Sequence, residues 1–130
     1  MYEYVEQLTI PMYEGLSKAE LAELQLLLVS NNLVVSGFLI TIMFGYLVAV
    51  YFVGNKITLA QSIILTIFYS ALTLQLQFVS LMMGYQAAVL ISMLSGEPPL
   101  PIFNTITAVL SIGLWLVSIV YMIQRRYQDD

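Results

Sequence analysis

At 130 residues the chain has the length of one domain, but only 9% of it is Asp, Glu, Lys or Arg, against about 25% in soluble domains, and 60% is hydrophobic. No charge falls between Glu23 and Lys56, between Lys56 and Glu97, or between Glu97 and Arg125, and each gap exceeds the roughly 20 apolar residues that cross a bilayer core. The absence of Cys and His excludes disulfides, thiolate chemistry and the usual haem ligand, and a net charge of −4 does not suit nucleic acid.

Residues 1–16 are mixed and polar, and Pro11 and Gly15 argue against continuous helix there. The segment lacks the basic start and compact apolar run of a signal peptide, so the first hydrophobic helix is expected to direct insertion itself. Ser17-Lys18-Ala19-Glu20 has the form of a capping box. A helix is predicted from there to Val53, with its membrane part at about 33–53. Along it Gly37, Thr41, Gly45 and Ala49 form a ridge of small residues at four-residue spacing. Such ridges let helix backbones approach closely, which matters in lipid because packing replaces the hydrophobic effect. The expected role is helix contact.

Gly54-Asn55-Lys56 reads as a turn, with Gly54 in the left-handed position that ends many helices. Thr58 then caps a second helix whose membrane part is assigned to 58–83. Thr66, Ser70, Thr73, Gln77, Ser80 and Gly84 recur on it at alternating four and three steps, the seam of a left-handed bundle. Hydrogen bonding between helices is the favoured reading of this polar stripe; a water-filled pore lined by several copies is the alternative. Gln75 lies beside the stripe, where a neighbouring subunit is within reach. The helical pattern runs on to Ser95, longer than a bilayer requires, so a break near Gly84 is preferred, with 84–101 forming a bend and proline-rich linker.

The third span is placed at 102–124. Asn104, Thr107, Ser111 and Ser118 give it a thinner polar face able to meet the same seam. Tyr46, Tyr51, Trp115, Tyr121 and Tyr127 suit a headgroup belt at one membrane surface, while Tyr69 needs a partner for its hydroxyl. With three crossings, Lys56, Arg125 and Arg126 share a side. Lys18, Glu97 and five amino-terminal glutamates occupy the other. The positive-inside rule then places the carboxyl terminus in the cytoplasm and the amino terminus outside.

Catalysis finds no support. No charge sits inside a span to serve a proton relay, ion-coupled carrier or voltage sensor. No phosphate loop, zinc-binding helix or nucleophile elbow occurs. Glu14, Glu20 and Glu23 read as a solvated acidic face rather than a metal site. No cofactor is expected. Residues 45–61, GYLVAVYFVGNKITLAQ, resemble a segment of small uncharacterised bacterial membrane proteins of similar length with three predicted spans. The resemblance implies a bacterial inner-membrane location and no activity. The expectation is an all-α membrane protein of three transmembrane helices, embedded in the lipid bilayer. It works without catalysis, by association as a homo-oligomer or with another membrane protein.

Overall fold

The computed structural model describes residues 2–97 and 102–128. The fold is all-α, with four helices among the described residues: α1 Tyr2–Tyr13, α2 Lys18–Val53, α3 Leu59–Ser95 and α4 Ile102–Tyr127. Three of them, α2, α3 and α4 (from Thr105), are long and apolar enough to cross a membrane. The chain is a multi-pass membrane protein.

Both long helices start on reciprocal caps. The Ser17 amide donates to Glu20 Oε2 at 2.7 Å while the Glu20 amide donates to Ser17 Oγ at 3.3 Å. At α3, the Thr58 amide donates to Gln61 Oε1 at 2.9 Å and the Gln61 amide to Thr58 Oγ1 at 3.3 Å. Four amides that no helix turn can satisfy thereby find acceptors. Glu20 lies before the membrane part of α2. The hydrogen bond from the Ser17 amide, and then that from its side chain, holds the Glu20 carboxyl below its ordinary value of 4.5. A lowered carboxylate pKa stabilises above the ordinary value and loses that effect as pH falls through the lowered one. Hydrogen-exchange protection in the first turn of α2, taken relative to the intrinsic rate at each pH, is therefore expected to stay constant from neutrality to about pH 5. It should fall below 4.5, with the matching turn of α3, which Gln61 caps, unaffected.

Pairings along the hairpin fix its register. Tyr46 meets Thr66 and Asn32 meets Ser80, a step of fourteen residues on each helix, so α2 and α3 run antiparallel without slippage for about 21 Å. On the other face of α3, Trp115 meets Ser70, and Arg126 of α4 meets Ile57 in the turn. Continued residue for residue, α4 begins level with about residue 83 of α3. The last dozen residues of α3 project beyond it by roughly 18 Å.

Three expectations are corrected here. First, α3 passes through Gly84 without a break and ends only at Ser95. Gly96 takes φ +72 and its amide donates to the Ser92 carbonyl at 2.9 Å, the glycine cap that stops the helix. Second, the amino-terminal segment is helical despite Pro11, which falls in the last turn of α1 and removes one hydrogen bond there. Third, Gly54 is right-handed (φ −55, ψ −35). An added Cβ would lie 2.5 Å from the Val50 carbonyl oxygen and 3.2 Å from Arg125 Cγ, so the glycine admits the stem of Arg125. The path of 98–101 lies outside the described residues.

The first two corrections share a cause. Ala87 and Leu90 are buried on one face of α3 and Val89 on another, which α2 alone cannot achieve. Among the described elements α1 also packs on α3, and it buries Val5 and Thr9, four residues apart on one stripe. The projecting end of the hairpin is thus a small three-helix unit on top of the membrane bundle. Inside the bundle, Leu39, Met43, Tyr46 and Val50 of α2 close on Tyr69 of α3 and Met122 of α4.

Candidate functional site: a sealed polar seam and an open small-residue ridge

The polar stripe of α3 faces inward. Thr73, Gln77, Ser80 and Gly84 are buried, and Thr66 and Ser70 half-buried. Most of its hydroxyls are taken by the flanking helices. Thr66 Oγ1 and the Tyr46 hydroxyl lie 3.0 Å apart, and Ser80 Oγ donates to Asn32 Oδ1 at 2.6 Å, tying α3 to α2. Trp115 Nε1 donates to Ser70 Oγ at 3.1 Å, tying α3 to α4. Tyr69 joins this set, as its buried hydroxyl requires. Ser118 gives its one hydrogen to the Trp115 carbonyl at 2.7 Å, so the 2.8 Å contact with Tyr69 is donated by the tyrosine. The Tyr69 ring stacks on Tyr46 at 3.8 Å between centroids, 6° from parallel.

Tyr46 and Trp115 are therefore cross-links of the bundle and not headgroup anchors, a correction to the aromatic belt. The missed partners were Asn32 and Tyr46. The signal available for Tyr46 was its position seven residues before the helix end at Val53, where a buried hydroxyl calls for a partner. Tyr51 and Tyr127 remain exposed, and the Arg125 guanidinium lies 5.7 Å from the Tyr51 ring centroid. On α4, Ser118 reaches the seam, Ser111 Oγ donates back to the Thr107 carbonyl, and the side chain of Asn104 lies outside the described residues.

Two seam oxygens, Thr73 Oγ1 and Gln77 Oε1, are sealed from solvent with no hydrogen-bond partner. An unsatisfied buried acceptor costs roughly 1–3 kcal/mol. Gln77→Leu, of similar volume, is therefore expected to raise stability by about 1 kcal/mol or more, read as a higher midpoint in denaturant titration of the detergent-solubilised chain. A loss of that size would show instead that the amide holds a bond the bundle depends on.

The small-residue ridge of α2 lies on the opposite, outer side. Gly37, Thr41 and Gly45 are exposed and Ala49 half-buried. A Cβ added at Gly37 or Gly45 would meet nothing within 4 Å. No helix among the described residues fills this groove. Thr41 Oγ1 donates to the Gly37 carbonyl at 2.8 Å, so its hydroxyl is satisfied within α2. Gln75, also exposed, stands on α3 at the level of Gly37 by the hairpin register.

The acidic residues of the projecting end do not converge: no group of three metal-ligating side chains occurs among the described residues, and Glu20 is engaged by its cap. Comparison with known proteins finds no family model, no curated protein and no solved structure that matches the chain.

Proposed function

We propose that this is a non-enzymatic membrane protein that acts by helix association, as a homo-oligomer or as the accessory subunit of another membrane protein. The observation that carries the reading is the ridge Gly37, Thr41, Gly45 and Ala49, exposed at its first three positions and with nothing among the described residues within 4 Å of a Cβ at Gly37 or Gly45. A bare glycine ridge leaves backbone unpacked against lipid, and the close approach of a second helix fills it. Gln75 adds a polar group on the lipid-facing surface of α3, where an interhelical hydrogen bond is worth about 1 kcal/mol or less.

The rival, an oligomeric pore lined by the α3 stripe, would have to turn that stripe outward. It would break Ser80–Asn32, Thr66–Tyr46 and Ser70–Trp115 together. The location proposed is a bacterial inner membrane, with the amino terminus outside and the carboxyl terminus in the cytoplasm. The positive-inside rule supports this, since Lys56, Arg125 and Arg126 share one end, as Arg126 donating to the Ile57 carbonyl requires.

The chain has no cysteine, so single introduced thiols report cleanly. Gly45→Cys in native membranes is expected to cross-link, to a second copy if the assembly is homomeric and to a different protein if the chain is an accessory subunit. Ile64→Cys, on an exposed position of α3, is the comparison and should not. Equal cross-linking from both positions, or none from Gly45→Cys, would remove the ridge as the contact.

A further inference from the structure

A groove of ≈ 340 Å³ opens between the start of α3 and the end of α4, on the side walls of the bundle and separate from the ridge on α2. Its walls include Ile63 and Ile67 of α3 and Ile119 and Ile123 of α4, and its mouth holds Arg126 and Tyr127. Ile63, Ile67 and Ile123 are exposed on the lipid-facing surface. The groove is thus apolar along the bilayer and cationic where the chain leaves it. We propose that it binds one anionic phospholipid, with an acyl chain along the isoleucine walls and the phosphate on Arg126.

Charge complementarity selects this occupant. Arg126 is half-buried and uses Nη1 to donate to the Ile57 carbonyl at 3.2 Å, which fixes the guanidinium at the mouth and leaves further donors of its five for phosphate oxygens. Lys56 and Arg125 stand at the same end of the bundle. Among the described residues no acidic side chain lies between Lys56 and Ser95 or between Thr105 and Gln128. Tyr127, exposed at the rim, is of the residue type that settles at headgroup level. A zwitterionic lipid fills the same walls but brings its own cation to the arginine. A basic pocket between membrane helices is a recognised form of headgroup site. The site needs only one copy of the chain, so it stands or falls independently of association.

The test is native mass spectrometry of the full chain, released from mild detergent containing equal phosphatidylglycerol and phosphatidylcholine with matched acyl chains. The wild type is expected to retain phosphatidylglycerol about fivefold over phosphatidylcholine, the worth of roughly one lysine or arginine at a membrane surface. Arg126→Gln should bring the ratio to about one, and Arg126→Lys should restore part of it. Equal retention by the wild type, or an undiminished ratio in Arg126→Gln, overturns the proposal. Should Arg126→Gln fail to fold, Ile123→Trp decides. It fills the groove with Arg126 in place, so the fivefold ratio should fall, and an unchanged ratio refutes the site.

Discussion

Leu90→Ala is expected to release the amino-terminal helix. Leu90 and Val89 are both 0% exposed, on the stretch of α3 that projects past the start of α4. Truncating a buried leucine costs roughly 2–5 kcal/mol, the removed methyl groups plus the cavity they leave. The cost should be felt locally. At this end α3 is packed by α2 and α1, and α1 is only 12 residues long, too short to be helical by itself in water. Its helicity rests on the stripe of Val5 and Thr9 against its neighbours. Hydrogen exchange on the intact chain in detergent micelles should show α1 losing protection, with the Tyr46–Tyr69 region of the bundle unchanged. Protection of α1 equal to the wild type would mean that it docks without the buried patch around Leu90.

Gly45→Leu is expected to leave the monomer folded and to weaken association. Beyond the adjoining helix backbone, nothing among the described residues lies within 4 Å of a Cβ at this position, so the leucine side chain starts into open space. Glycine is the poorer helix former by about 0.8–1.0 kcal/mol, so α2 should gain in intrinsic stability. A partner helix seated against the ridge would meet four extra carbons at its point of closest approach. An affinity loss of roughly tenfold or more is expected, about 1.4 kcal/mol, measured by dilution of labelled chains between vesicles. Gly45→Ala should fall between, since one methyl keeps the ridge low.

Much of the membrane architecture is legible in the sequence because its causes are local. Three uncharged gaps mark three spans, Ser17 with Glu20 and Thr58 with Gln61 fix two helix starts, and periodicity alone groups Thr66 to Gly84 on one stripe, though not the side to which it turns. What escaped depends on contacts distant in sequence. α1 forms despite Pro11 because the outer end of α3, some eighty residues away, offers it a face. The continuity of α3 through Gly84 follows from the same contact, since a projecting helix end needs cover and α1 gives it. Tyr46 had two physical solutions, a headgroup or a hydroxyl partner, and only the register that sets it opposite Thr66 decides between them. The small-residue spacing of the ridge on α2 was legible in the sequence. That it faces away from α3 and α4 depends on the side of α2 that those helices occupy, which four-residue spacing does not encode.

The most direct measurement is the mass of the full chain and of Gly45→Leu, each purified from native membranes in mild detergent. A wild type that runs as a fixed assembly above the 14.6 kDa of one copy, with Gly45→Leu reduced to a single folded copy, is the expected result. A wild type that is already one copy without a partner, or an assembly that Gly45→Leu leaves intact, would contradict association through the ridge.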